Sequence, residues 1–349
     1  MSLFATNINY IGVDIGTTSI KAVQLIKEAG KIKLVSYGFS ENVKSGLNDW
    51  QNDAVYAAKV INDIRNNSGM NCNNAVSALP TFSVFSSVLN LSNVTKKDMS
   101  SAIHWEAKKV IPLPLEEMIL DWKKIDNAST DKKTIDGNMR VLLTGAPRTL
   151  VRKYIDIFKE TRMTLMSLET ETFSLIRSLL GNDKSTVMIV ELGASTTDVS
   201  IIDNGIPMLN RSIDVGGLSI TNAISKLLDI GIDRAEQFKY DLGISSLDST
   251  DDQAPKIIID TIAPIVNEIK YAINLFQTKN NKNTEKIILT GGSALMPNMP
   301  NYLAKILDMK VIVGDPWARI SYPVDLKPLL NEIGPRMAVA VGLAMREIE

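Results

Sequence analysis

Ile11-Gly12-Val13-Asp14-Ile15-Gly16-Thr17-Thr18-Ser19-Ile20-Lys21 is the stretch whose reading decides the fold. An apolar run carrying a single acid enters a Gly turn, then three hydroxyl residues, then a Lys. The pattern predicts a strand, a tight hairpin and a second strand. The turn's backbone N–H groups and the hydroxyls of Thr17, Thr18 and Ser19 converge on one spot, which suits a phosphate tail. Asp14, at the end of the first strand, faces the same spot and could hold Mg²⁺ through water. At a shift of 177 positions the chain reads Met188-Ile189-Val190-Glu191-Leu192-Gly193-Ala194-Ser195-Thr196-Thr197-Asp198-Val199-Ser200, with Glu191 at the place of Asp14 and Gly193 at the place of Gly16. One acid-x-Gly turn is common. Two copies half a chain apart point to two similar halves closing over one nucleotide.

The 349 residues are enough for two domains with proper cores, and 45% hydrophobic with 22% charged residues is a globular composition. A formal net charge of −1 gives no electrostatic reason to expect nucleic acid or an anionic membrane surface. One Cys (Cys72) and one His (His104) exclude a disulfide framework and leave no set for a Cys/His zinc site. No apolar run reaches the roughly 18–20 residues of a membrane span. The first ten residues lack the basic and apolar regions of a signal peptide, so a cytoplasmic protein is expected.

Along the chain, Lys31 to Tyr37 is expected to add a strand, Asn52 to Asn66 a helix, and Asn74 to Pro80 a short buried strand. This β-β-β-α-β order is not a βαβ repeat, and neither GxGxxG nor a Walker A sequence occurs. From residue 81 to about 126 the character changes and predicts a compact insert. A strand, Val84 to Leu91, is followed by a capping-box pattern over Thr95-Lys96-Lys97-Asp98. The helix it opens carries Met99, Ala102, Ile103, Ala107 and Val110 on one stripe, with Trp105 well off it. Trp105 either packs on the neighbouring strand or forms an aromatic wall of a peptide groove. Ile111-Pro112-Leu113-Pro114 ends the helix, Glu117 to Ile125 is a strand, and 126–138 reads as an exposed, turn-rich tip. Arg140 to Ala146 is expected to resume the first sheet. Beyond a boundary near 181–185 lie Gly216-Gly217 before a helix, where backbone can approach a phosphate, and Asp233 as the cap of the next helix. Glu236 and Lys239, one turn apart there, form either a surface ion pair or a grip on a ribose and the edge of adenine. Gly291-Gly292-Ser293 lets a flat ring or phosphate come close where a strand feeds a helix. Gly334-Pro335 is expected to start a last helix rich in small residues.

Two such hairpins, a Gly-Gly-Ser loop and small-residue connecting helices resemble the actin and sugar-kinase ATPase superfamily. Within it, the insert sequence Ala102-Ile103-His104-Trp105-Glu106-Ala107-Lys108-Lys109-Val110-Ile111-Pro112-Leu113-Pro114, followed by Asp121, resembles the PilM family of type IV pilus proteins. Asp315-Pro316-Trp317 and Glu332-Ile333-Gly334-Pro335 through Gly342-Leu343-Ala344 do so too. The resemblance spans Gly12 to Arg346. It implies an α/β, actin-like ATPase fold related to the cell-division protein FtsA, with two similar domains around a nucleotide cleft and a small inserted subdomain. The divisions are 1–80, the insert 81–126, 127–184 continuing the first domain, 185–325, and a connecting helix within 326–349. By position Gly16, Thr17, Thr18, Ser19 and Lys21 match the first phosphate loop, and Gly193, Ala194, Ser195 and Thr196 the second. Gly216 and Gly217 lie beside them. Glu236 and Lys239 match the adenosine pair, and Gly291, Gly292 and Ser293 the adenine loop, so ATP and Mg²⁺ are the implied ligands. Asp14 and Glu191 match the metal-facing acids. The second acid is usually Asp; Glu191 sits one methylene further out, so ATP binding is better supported than turnover. Glu171 is the nearest group for orienting a water.

The resemblance also implies a partner. In the family the insert receives the cytoplasmic N-terminal peptide of the membrane protein PilN. That joins an alignment complex with PilO, next to the pilus motor and platform, so the membrane is met only through the partner. Phe85, Trp105, Ile111 and Leu113 are the expected groove walls here. Self-association is a family-level expectation. Two rivals remain. A cell-division membrane actin would end in an amphipathic helix, whereas Met345-Arg346-Glu347-Ile348-Glu349 has no apolar face. A small-molecule kinase would need a catalytic Asp in the first domain.

Overall fold

The structure, a computed structural model, describes residues 8–41, 53–92, 94, 98–125, 138–244 and 253–348. The first hairpin forms as its pattern predicts. Strand β1 (Ile8–Ile15) turns through Gly16 into β2 (Ser19–Glu28), the Gly16 N–H donates to the Ser19 carbonyl at 3.0 Å, and the antiparallel register sets Asp14 opposite Lys21. Strand β3 (Lys31–Glu41) pairs antiparallel with β2. Helix α1 (Ala54–Asn67) is capped by Asp53, whose carboxylate accepts from the Tyr56 N–H at 2.9 Å. Strand β4 (Asn74–Leu79) then lies parallel to β1.

The insert follows: β5 (Phe85–Ser92), α2 (Met99–Val110), β6 (Met118–Ile125) and β7 (Asn138–Pro147). Its sheet runs β5-β7-β6, all antiparallel, so β7 is the central strand of the insert and does not resume the first sheet as expected. The reason lies in its alternation. Val141 and Leu143 point into a small core with Ile103, Ala107 and Ile111, whereas Ala146 on the other face joins the core of the first unit. The strand therefore belongs to the insert's sheet while carrying the chain back to its host. Of the expected capping box over 95–98 only Asp98 is described, as the N-cap of α2 with no side-chain cap hydrogen bond, and of the tip expected at 126–138 only Asn138 is described, as the first residue of β7.

Helix α3 (Arg148–Thr161) leads to β8 (Thr164–Thr170), parallel to β4, and to α4 (Glu171–Leu175), which continues as a wider turn over Ile176–Leu180. The first sheet is thus β3-β2-β1-β4-β8. The second half repeats the plan. Strands β9 (Val187–Leu192), β10 (Thr197–Asp203) and β11 (Ile206–Ile213) precede helices α5 (Gly217–Leu228), α6 (Ile232–Leu242) and α7 (Gln253–Asn280). Strand β12 (Lys286–Thr290), helix α8 (Met299–Leu307) and strand β13 (Val311–Val313) complete a sheet of order β11-β10-β9-β12-β13. In both sheets three antiparallel strands are followed by two parallel ones. Gly231, not Asp233, is the cap of α6; Asp233 stands in the first turn, where its charge still favours the helix N-terminus.

Helix α9 (Lys327–Met345) closes the chain. It begins one full turn and more before Gly334-Pro335 and runs through the proline, contrary to the expected start. The Pro335 carbonyl is used: the Gly291 N–H and the Thr290 hydroxyl donate to it, each at 2.9 Å. The small residues serve backbone-close crossings. A Cβ on Gly12 would strike the Ala340 carbonyl, and one on Gly342 the Ser174 carbonyl, so β1 and α4 both lie against the backbone of α9. The most buried part of α9, residues 337–345, thereby sits between the hairpin and the first connecting helix. Among the described residues no helix is long and apolar enough to cross a membrane.

Candidate functional site: a cleft between the two repeated hairpins

Both hairpins end at one cleft. It is lined by Thr18, Ser19 and Lys21 of the first copy, Glu191, Gly193 and Ala194 of the second, then Gly217, Glu236, Lys239 and Gly291-Gly292-Ser293. A smaller recess beneath holds Asp14, Gly16, Thr17 and Thr196 with Glu171. The loop tips touch: the Ser195 hydroxyl donates to Thr17 Oγ1 at 3.2 Å. Gly216 lines neither cavity. At the start of α5, expected to let backbone approach a phosphate, the Gly217 and Leu218 N–H groups donate to the carbonyls of Gly193 and Ala194, both at 2.9 Å. Gly217 thus shapes the cleft by having no side chain.

Glu236 and Lys239 are not a surface pair. Lys239 is 2% exposed, and its Nζ donates to both Glu236 oxygens at 2.7 and 2.8 Å and to Thr221 Oγ1 at 3.2 Å. Burial lowers the ammonium pKa and the Glu236 charge opposes that shift. With both groups tied, what faces the cleft is a fixed polar shelf at the edge of the Gly-Gly-Ser loop. Gly291 adopts φ 84°, a conformation that suits glycine, with its would-be Cβ direction filled by Leu192 backbone. Sequence reasoning missed Glu41, Tyr240 and Arg336, which complete this wall. The Tyr240 hydroxyl donates to the Gly292 carbonyl at 3.4 Å, and Arg336 forms an ion pair with Glu41 while lying 5.7 Å from the Phe39 ring centroid.

The deeper recess separates two kinds of acid. Asp14 accepts from Lys21 Nζ at 2.8 Å, so its charge is answered across the hairpin. In the second copy the residue opposite Glu191 is Asp198, standing where the first copy has Lys21. Asp198 is 7% exposed, accepts from the Ser212 hydroxyl, and has Thr196 Oγ1 at 3.4 Å. One carboxylate oxygen each from Glu171, Glu191 and Asp198 lie within 4.8 Å of one another. Burial, then Asp198 and Asp14, push the Glu191 carboxyl up; burial, then Glu191 and Asp198, raise Glu171; burial raises Asp198. Glu191 Oε2 is buried and has no hydrogen-bond partner among the described residues. Three convergent carboxylates with an orphaned oxygen fit a hard cation such as Mg²⁺. Of the expected metal pair, Glu191 sits in this triad and Asp14 is held by Lys21 beside it, while Asp198 is an acid that sequence reasoning passed over. Its signal was present, since the 177-residue shift aligns it with Lys21.

The four expected partner residues divide. Trp105 is 65% exposed and Leu113 48% exposed, so Trp105 does not pack on a neighbouring strand. Ile111, at 6%, is in the core of the insert and Phe85 packs against that core, which removes Ile111 as a groove wall. A groove lies between the insert and the first unit. Ile119, Leu142, Thr144 and Ala146, on the sheet face opposite the insert's core, meet Leu79, Leu168 and Phe173 there. Arg177, donating to both Glu169 oxygens at 2.8 and 2.9 Å, and Arg346, 3.2 Å from Glu169, border it.

Several known proteins are similar to this chain in sequence or in fold. FtsA, the cell division protein of Borreliella burgdorferi, is 23% identical, over 97% of this chain and 91% of its own. The solved PilM-PilN type IV pilus biogenesis complex superposes with a TM-score of 0.84 at 20% identity, covering 98% of this chain and 99% of the other. MreB5 of Spiroplasma citri, solved bound to AMPPNP, gives 0.55 at 14% identity over 97% and 95% of the two chains. The fold is that of the actin-like ATPases. The sequence pattern of the family described as "Type IV pilus assembly protein PilM" matches residues 12–348, a span that takes in both hairpins, the insert, the Gly-Gly-Ser loop and α9, and the chain belongs to that family.

Proposed function

We propose that this protein is an ATP-binding adaptor of type IV pilus assembly, taking nucleotide between its two halves and a short cytoplasmic PilN-type peptide on its insert. The observation that carries the nucleotide reading is the cleft itself: two hairpin tips within 3.2 Å of each other, and beyond them the tied Glu236–Lys239 shelf beside a side-chain-free Gly-Gly loop. The hairpin hydroxyls and Lys21 receive the phosphates. Glu236, Lys239, Gly291, Gly292 and Ser293 receive the nucleoside, as the AMPPNP-bound MreB5 relative supports for the fold. Glu171, Glu191 and Asp198 hold Mg²⁺, which supplies charge neutralisation for the phosphates. Without the cation, burial and mutual repulsion push the Glu171 and Glu191 carboxyls up and favour their protonated form, and a protonated carboxyl accepts no proton from water. Turnover through Glu171 or Glu191 is accordingly slow and cation-dependent.

The strand pairing supports an inserted subdomain of 81–147 in place of 81–126, with 148–184 returning to the first domain. The solved PilM-PilN complex supports a PilN-type partner. The open face of the insert's sheet, with Ile119 and Leu142 facing Leu168 and Phe173, is the better seat for an apolar peptide, because the opposite face is already filled by α2. Trp105, 65% exposed on α2, favours a second seat there. PilO and the pilus motor or platform are then reached through PilN, at the inner face of the membrane. Titrating a fluorescent PilN N-terminal peptide, with and without ATP and Mg²⁺, tests the adaptor reading. Binding that responds to nucleotide supports it, and absence of peptide binding by a protein that binds ATP removes the pilus role.

A further inference from the structure

The entrance to the insert is tied to the acid triad by a hydrogen bond. Thr81, the first residue after Pro80 and 7% exposed, donates its backbone N–H to Glu171 Oε2 at 2.7 Å. Its neighbours follow the same seam. Thr172 Oγ1 lies 3.5 Å from Thr81 Oγ1, 3.4 Å from Ser200 Oγ of β10, and donates to Asn210 Oδ1 of β11 at 3.5 Å. The second acid, Asp198, takes the Ser212 hydroxyl of the same β11. That strand packs against β5 and the turn Thr81–Ser83, and Arg140 of the insert reaches Met208 of β11 at 3.5 Å. Two of the three acids therefore grip an element that positions the insert, while the third, Glu191, keeps an oxygen unpartnered.

We propose that Glu171 is the positioning residue through which cation loading in the cleft moves the insert, one oxygen holding the Thr81 N–H and its carboxylate sharing the cation. The inference deepens, and rests on, the reading of the cleft as a nucleotide–Mg²⁺ site. Oxygens that share one Mg²⁺ sit about 3 Å apart. Loading draws the carboxylates in from their present spacing of up to 4.8 Å, and Glu171 cannot follow without carrying the backbone at Thr81 or giving it up. A group that fixes a buried N–H is costly to lose, so the displacement passes into the entry strand of the insert.

Amide hydrogen exchange over residues 79–92, measured with fluorescent-ATP binding on the same samples, tests this in wild type, Glu171→Ala and Glu171→Gln. Without nucleotide, Glu171→Ala raises exchange at Thr81 about tenfold, and Glu171→Gln, which keeps a carbonyl acceptor, leaves it near wild type. With Mg²⁺ and ATP, exchange across 81–92 changes severalfold in wild type and stays flat in Glu171→Gln. Unchanged Thr81 exchange in nucleotide-free Glu171→Ala overturns the proposal. So does a wild-type response preserved in Glu171→Gln, or a wild type that binds ATP with no change in the insert. A wild type that binds no ATP overturns the nucleotide reading instead and, because the coupling needs a loaded site, the coupling with it; Thr81 exchange in nucleotide-free Glu171→Ala then reports only whether the anchor exists.

Discussion

Replacing Glu191 by Gln in metal-free protein is expected to flatten the dependence of stability on pH. In the native chain burial, Asp198 and Asp14 raise the Glu191 carboxyl from 4.5 to about 8. Between those values the folded state holds a proton that the unfolded chain has released. Stability therefore falls as pH rises, by about 1.4 kcal/mol per pH unit for one proton. From pH 5 to 7.5 the loss is about 3 kcal/mol, which for a chain of this length corresponds to about 4 °C in Tm. Glutamine keeps the shape, cannot ionise, and removes this part of the slope, so the variant is the more stable protein at pH 7.5 and equal to wild type near pH 5. Mg²⁺ acts in the opposite sense on wild type, since it stabilises the ionised carboxylates, and does little for Glu191→Gln. Thermal melts in EDTA across pH 5–8, followed by circular dichroism, read all of this. Parallel Tm curves for the two proteins would refute the buried, mutually repelling triad.

Other consequences follow from burial and packing. Ile111→Ala, in the core of the insert, should cost about 2–4 kcal/mol in urea unfolding of that subdomain, whereas Trp105→Ala should change stability by less than about 0.5 kcal/mol. Ile119→Glu, which places a charge in the groove facing Leu168 and Phe173, is expected to weaken a PilN-type peptide at least tenfold in a fluorescence titration and leave ATP binding intact. If Trp105→Ala weakens the peptide and Ile119→Glu does not, the seat is on α2. Gly342→Val drives a side chain into the Ser174 carbonyl, so soluble yield should collapse in a solubility assay.

The two hairpins were legible because a strand-turn-strand pattern is local and here occurs twice in step. The Gly-Gly-Ser loop and the Glu236–Lys239 pair were legible for the same reason, although the chain alone could not tell a buried pair from a surface one. What decides that is Thr221, from another helix. The allegiance of β7 was not legible, because its partners lie some 20 and 50 residues back and its alternation serves two cores at once. Asp198 stood in the quoted repeat, yet its role depends on facing Glu191 across the strands and on Glu171 arriving from α4. Ile111, expected as a groove wall from the resemblance, instead closes the insert's core, because only the packed fold shows which way it faces. Pro335 disfavours a helix interior, yet α9 runs through it, and its carbonyl takes the Thr290 hydroxyl and the Gly291 N–H.

The nucleotide cleft is the claim on which the rest depends, and calorimetric titration of ATP with Mg²⁺ into wild type and Gly292→Val tests it most directly. A Cβ on Gly292 meets nothing nearer than 3.7 Å, so the variant keeps its fold, while the valine stands in the cleft between Tyr240 and Arg336. One ATP per chain in wild type, and loss of binding in Gly292→Val at unchanged Tm, is the predicted result. Absence of heat in wild type, or equal affinity in a folded Gly292→Val, would contradict it.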